Sequence, residues 1–220
     1  MLILGYSLTA VAAYLLGSIP TGFLVAKARG IDIRTVGSGN IGATNVFRYL
    51  GKPAGIFVLL ADALKGWLAV AVMAKLICGS FYSGANQQAQ EWFQIIAGIS
   101  AILGHNYTCW LYFKGGKGIA TSAGVLAALV LKPLLIILAV WILVFALFRY
   151  VSLASITAAI TLPFAAWLTK QSLTMVSVTT VMSALAIYKH KANIKRLIEG
   201  TESRMGRKQP PVPEAAKPTS

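Results

Sequence analysis

The chain has 220 residues, 57% of them hydrophobic and only 12% charged, whereas a soluble domain carries about 25% charged residues. Six acidic residues cannot clothe a water-facing surface, so a soluble globular protein is excluded and a polytopic membrane protein is expected. The net charge of +14 calls for an anionic counterpart: nucleic acid, lipid headgroups or a phosphorylated substrate.

Residues 1–26 carry no charge. They lack the basic segment that opens a signal peptide, so they read as a retained first membrane span. Further charge-poor runs predict six more spans: 66–74 extended past Lys75, 92–113, 118–131, 133–148, 150–169 and 171–188. Most approach the about 17–25 residues that a crossing helix needs. The second must begin near Ala54 to be long enough, which places Asp62 and Lys65 inside it, three apart on one helical face. Such a pair neutralises itself within the membrane, and it is expected to position the first glycine loop. Only Lys132 and Pro133 separate the fourth and fifth runs, which read as a tight hairpin; six spans with one re-entrant segment is the alternative.

Lys and Arg are retained on the cytoplasmic side. The loops between spans one and two, three and four, and five and six, together with the segment after span seven, hold sixteen of the 20 basic residues. The opposite side holds Lys132 and Lys170. The N-terminus is therefore expected outside and the C-terminus inside, and nucleic acid drops out as a partner. The organisation expected is a seven-helix membrane domain of residues 1–200 followed by a disordered cytosolic tail of residues 201–220, rich in Pro and Ala from Gln209 onward. Residues 83–90 read as a polar external loop, and no internal repeat is evident. Cys78 and Cys109 have neither CxxC nor histidine spacing and are expected to pack as apolar side chains.

Three polar motifs fall on the cytoplasmic side. The first, G-S-G-N-I-G-A-T-N at residues 37–45, is followed by Arg48. Its glycines Gly37, Gly39 and Gly42 leave backbone amides open to an anionic oxygen, its polar side chains include Ser38, Asn40 and Asn45, and Arg48 can make a bidentate phosphate contact. The second runs from Gly104 to Gly118 and ends in G-G-K-G, where Gly115, Gly116 and Gly118 surround Lys117 at the start of span four. Amides, a helix N-terminus and an ammonium could there converge on one phosphate. It is no Walker loop, since Leu111 stands at the position of the earlier glycine and Gly118 at that of Ser or Thr. The third motif begins where span seven ends, with His190 and Asn193 three apart on one face, then Lys195, Arg196 and Glu199. Its imidazole could act as a base or orient a substrate. Ser152, beside Arg149 and Tyr150, could supply a hydroxyl.

Together these motifs resemble the membrane-integral, acyl-phosphate-dependent glycerol-3-phosphate acyltransferases of bacterial phospholipid synthesis. The resemblance covers residues 14–202. It rests on G-S-G-N-x-G-A-T-N-V-x-R at 37–48, D-x-x-K-G at 62–66, G-H and F-K-G-G-K-G within 104–118, and H-x-x-N-I-x-R-L at 190–197. It implies seven transmembrane helices in the bacterial inner membrane with an active site facing the cytoplasm. The implied reaction transfers an acyl group from acyl phosphate to the 1-hydroxyl of glycerol 3-phosphate, giving lysophosphatidate and phosphate. The carried-over catalytic positions are Ser38, Lys117, His190 and Asn193. Substrate-binding roles fall to Gly39, Asn40, Gly42, Asn45, Arg48, Gly115, Gly116 and Ser152. Ile41 and Thr108 stand where the family usually has proline, which bears on loop rigidity.

The residues agree with that chemistry. An acyl phosphate is a mixed anhydride with a good leaving group, so no acyl-enzyme is needed and the protein must orient two phosphates and stabilise charge. No cofactor is expected, and no metal, because Asp32 is the lone carboxylate in the first of these loops. The H-x-x-x-x-D pattern of thioester-using acyltransferases is missing, since Trp110 and Lys195 stand five positions after the two histidines. The partners implied are the two substrates, membrane lipids and the enzyme that supplies acyl phosphate. The competing function is a transporter or flippase for a phosphorylated solute or lipid, which calls for charges at membrane depth in several spans; only the second carries them.

Overall fold

In the computed structural model, which describes residues 1–82 and 87–206, every regular element is helical and no strand occurs among those residues. In chain order the helices are α1 (Leu2–Ser18), α2 (Thr21–Lys27), α3 (Ala43–Leu50), α4 (Lys52–Leu68), α5 (Ala74–Phe81), α6 (Gln87–Asn106), α7 (Ile119–Leu129), α8 (Leu131–Phe148), α9 (Val151–Leu168), α10 (Leu173–Lys189) and α11 (Lys191–Ile198). A π-helical turn, Ala69–Met73, runs α4 into α5, and a 3-10 turn, Cys109–Leu111, follows α6. Four stretches among the described residues are long and apolar enough to cross a membrane: Leu2–Lys27, Lys52–Phe81, Leu131–Phe148 and Val151–Leu168. The chain is a membrane protein.

Several boundaries differ from the sequence expectation. The first span is broken at Pro20, which has no N–H and holds Ile19 at φ −55, ψ 112, so α1 stops at Ser18. The third run is displaced: α6 begins at Gln87, absorbing residues 87–90 of the expected external loop, and ends at Asn106, leaving residues 107–113 as loop. Residues 83–86 lie outside the described residues. The break between the fourth and fifth runs is at Val130 (φ −145, ψ 73), not at Lys132 and Pro133. Pro133 sits in the first turn of α8, where an amide would have no intrahelical partner in any case. The 11 residues of α7 rise only ~16 Å, about half of a ~30 Å hydrocarbon core.

The helices fall into two compact units, Met1–Leu129 and a second that begins at Val130. In the first, small residues let backbones meet. A Cβ on Gly17 would collide with the Ala101 backbone and one on Gly104 with Tyr14, which fixes α1 against α6; Gly66 and Gly124 do the same for α4 against α7, at Thr121 and Ala63. This is the packing that membrane helices use, since lipid provides no hydrophobic drive between them. Ala13, Ala69, Ala74, Cys78, Phe93, Ala97 and Ala101 form one core, with the Tyr6 and Phe93 rings 4.5 Å apart. Cys78 is thus an apolar packing residue. A second core of Ala26, Ile33, Val36, Ile41, Val46, Ala54, Val58 and Leu111 lies beneath the first polar loop.

In the second unit, α9 buries Ala154, Ser155, Ala158, Ala159, Leu162, Ala165 and Ala166. Trp141 on α8 donates to Ser155 Oγ at 3.1 Å. The outer side of α8 is uniformly apolar, with Leu135, Leu138, Ile142, Leu143 and Leu147 exposed, a surface suited to lipid. Residues 201–206, expected to be tail, belong to this unit: Met205 N–H donates to Arg149 O at 2.9 Å. The remaining expected tail lies outside the described residues.

Candidate active site

In the first unit, the 37–45 segment is held by its own side chains. Asn45, 2% exposed, donates through Nδ2 to Ile33 O (3.2 Å) and Val36 O (3.0 Å), and its Oδ1 accepts from Ser38 N–H (3.2 Å). Asn40 Oδ1 accepts from Gly42 N–H at 2.8 Å. Gly37 (φ +58) and Gly39 (φ +65) take left-handed conformations that the turns require. Asn45 thus shapes the loop through these three hydrogen bonds. The Ser38 side chain is exposed, and Arg48 sits half-buried on α3, three residues after Asn45. Asp32 is not alone: Arg34 Nη2 lies 2.6 Å from its Oδ2, and the hydrogen bond from Arg34 holds this carboxyl below its usual range.

The second motif closes onto the end of α6. Gly115 N–H donates to Asn106 O (3.2 Å) and Gly116 N–H to His105 O (3.0 Å). These two amides tie the loop to the end of α6. A Cβ on Gly115 would strike the His105 carbonyl, one on Gly116 the His105 ring, and one on Gly118 (φ +78) would stand 2.6 Å from Asn106 Oδ1. The glycines admit α6, and Lys117, half-buried, is presented between them just before α7. The two departures from the family pattern have visible compensations. Thr108 Oγ1 donates to Ser18 O at 2.6 Å, and Ile41 is 3% exposed in the second core.

Behind this loop lies a buried group that the sequence reading saw only in part. Lys65 Nζ is 2.9 Å from Asp62 Oδ1, as expected of the pair. It also donates to Ile19 O at 2.8 Å, at the α1–α2 break, and lies 3.0 Å from His105 Nδ1. The pair thus serves the second motif. No spacing rule connects Lys65 to a histidine 40 residues on.

In the second unit, α10 ends at Lys189 and His190 caps the junction with α11, so His190 and Asn193 do not share one helix as expected; Asn193 N–H donates to His190 O at 2.8 Å. His190 Nδ1 is 2.8 Å from Ala186 O. A carbonyl can only accept, so Nδ1 is the donor in this contact. Gly200 (φ +69) turns the chain back and delivers Glu202. Its carboxylate, with 6% of the side chain exposed, accepts from Ser152 Oγ (2.7 Å), Asn193 Nδ2 (2.8 Å) and Arg196 Nε (2.7 Å). Burial pushes this carboxyl up, but the hydrogen bonds from Ser152, Arg196 and Asn193 outweigh it and hold the group below its ordinary value. Glu202 is the clamp that brings Ser152 and Asn193 together, and sequence reasoning missed it; its one signal was an acidic residue just after a glycine stop.

A family model described as glycerol-3-phosphate acyltransferase matches residues 7–200. A relative of that name from Geotalea daltonii is 48% identical over 195 residues, 88% of this chain and 94% of the other. One from Geobacter sulfurreducens is 48% identical over 197 residues, 90% and 95% of the two chains. Among solved structures, the chain is similar to PlsY (YgiH), described as an integral membrane glycerol 3-phosphate acyltransferase. In its glycerol 3-phosphate form the TM-score is 0.80 at 41% identity, covering 91% of this chain and 96% of that one. In its lysophosphatidic acid form it is 0.78 at 40%, covering 91% and 95%.

Proposed function

The chain belongs to the glycerol-3-phosphate acyltransferase family, and from that membership we propose that it transfers a fatty acyl group from acyl phosphate to the 1-hydroxyl of sn-glycerol 3-phosphate. The observation that carries this reading is a family match over residues 7–200, which contains every site residue from Ser38 to Asn193. The hydroxyl oxygen attacks the acyl carbon, the bond from that carbon to the phosphate oxygen breaks, and phosphate leaves with the electron pair. Lys117 and Arg48 neutralise phosphate oxygens as charge moves onto the leaving group. Ser38 supplies a hydroxyl in the first loop, and Ser152 and Asn193, aligned by Glu202, hold the acceptor. His190, with Nδ1–H committed to Ala186 O, receives the acceptor's hydroxyl hydrogen bond at Nε2. The proton ends on that nitrogen or on a substrate phosphate.

The proposed setting is a bacterial inner membrane crossed seven times, with the N-terminus outside and the site facing the cytoplasm. The retention of sixteen basic residues on one side supports it. Purified protein given acyl phosphate and glycerol 3-phosphate should release lysophosphatidate and phosphate, with acyl-CoA inactive as donor. Robust turnover with acyl-CoA, or none with acyl phosphate, would overturn the reading.

A further inference from the structure

The chain contains two histidines, and their Nδ1 atoms face different partners, a lysine nitrogen for His105 and a carbonyl oxygen for His190. His105 is held on one edge by Lys65. Its Nζ stands 2.9 Å from a carboxylate oxygen of Asp62 in a site where both side chains are more than nine-tenths buried. Nζ lies within hydrogen-bond reach of three groups, Asp62 Oδ1, Ile19 O at 2.8 Å and His105 Nδ1, one for each hydrogen of an ammonium. An ammonium has three hydrogens and no lone pair, so at 3.0 Å from His105 Nδ1 it can only donate. Nδ1 is then bare and the proton of the neutral ring is on Nε2. The other arrangement would require Nδ1–H to bond Asp62 Oδ1, which at 3.7 Å is out of range.

Nε2 in turn abuts Gly116, whose missing side chain makes room for the ring, while the His105 carbonyl accepts from Gly116 N–H. The imidazole, 5% exposed, is thus fixed on one edge by Lys65 and presses the other edge against the backbone immediately before Lys117. Through Ile19 O the same ammonium ties this arrangement to the break between α1 and α2.

We propose that His105 is a positioning residue for the acyl-transfer site, locked by Lys65 in its Nε2–H form so that the ring sets the Gly115–Lys117 backbone and with it the Lys117 ammonium. The inference deepens the acyltransferase reading and rests on it for the consequence in catalysis, though not for the lock itself. Two conservative variants separate the two edges of the ring. His105→Asn keeps an acceptor where Nδ1 stood and loses the Nε2–H; His105→Gln reaches the Nε2 position with an amide donor and loses the acceptor for Lys65.

The experiment has two readouts. In protein labelled with 15N-histidine, two-bond 1H–15N spectra should show one Nε2–H ring and one Nδ1–H ring, the first signal vanishing in His105→Gln and the second in His190→Gln. Lys65→Met should abolish the fixed Nε2–H pattern. In the assay, His105→Asn should lower kcat with acyl phosphate by about 10- to 100-fold, as loss of an outer-shell orienting group does. The KM for glycerol 3-phosphate should stay within about twofold, and His105→Gln should retain more activity than His105→Asn. An Nδ1–H form for His105, or a His105→Asn enzyme as active as wild type with an unchanged spectrum for Lys65→Met, would overturn the proposal. So would equal loss in both variants accompanied by loss of the folded state. If wild type transfers no acyl group, the functional reading fails while the spectra still decide the lock.

Discussion

Lys117 and Glu202 show how differently two charged residues serve this chain. Lys117 is half-buried on a loop whose flanking glycines are occupied by α6, so its head group is placed by backbone rather than by side-chain partners alone. If it meets the leaving phosphate, Lys117→Ala removes an interaction stronger in the transition state than in the ground state, and kcat should fall about 100-fold or more with a smaller change in KM. Steady-state kinetics with acyl phosphate check this. Glu202 works at one remove, by aligning Ser152 and Asn193. Glu202→Gln keeps an oxygen for those two donors but turns an amide toward Arg196 Nε, so it should cost about 1.5–3 kcal/mol, the worth of a charge-assisted hydrogen bond. The expected result is a lower melting temperature in detergent together with reduced kcat. The glycine motifs were legible in the sequence as places where something approaches the backbone closely. That the end of α6 packs against Gly115 and Gly116 was not, because a bare Cα does not name its neighbour.

At the scale of helices, hydropathy located the apolar segments well and their ends poorly. Charge-free runs continue through residues 107–113 because Cys109, Trp110, Leu111, Tyr112 and Phe113 are apolar, yet Tyr112 and Phe113 adopt positive φ and the helix has already stopped at Asn106. Composition reports transfer from water to lipid, whereas a helix ends where its backbone groups find other partners, here His105 O and Asn106 O accepting from Gly116 and Gly115 N–H. Small residues then decide which helices meet. A leucine at Gly124 would put side-chain atoms where the Ala63 carbonyl lies, so Gly124→Leu should prise α7 from α4 at a cost of about 1–3 kcal/mol. Thermal unfolding in detergent, compared with the milder Gly124→Ala, measures it. A Gly124→Leu protein as stable as wild type would show that this contact is looser than described.

For the molecule as a whole, few acidic groups mean that acid sensitivity rests on few sites. Glu202 is held below its ordinary value by Ser152, Arg196 and Asn193. A carboxyl depressed in the folded state binds its proton more readily once unfolded, so its stabilisation is full above the unfolded value of about 4.3 and is lost as pH falls below that. Melting temperature should therefore drop as pH falls below about 4.3 in wild type and change less there in Glu202→Gln; identical profiles would assign the acid loss elsewhere. The amino-acid sequence alone determined that this is a helical membrane protein, which stretches are apolar, and where the polar motifs lie between them. Those properties follow from transfer energies and local pattern. Only the tertiary structure decided that Lys65 reaches His105 and that Glu202 gathers Ser152 and Asn193. Each depends on a hydrogen bond between residues that no local periodicity relates, in a buried setting where an unpaired polar group is costly enough to dictate its partner.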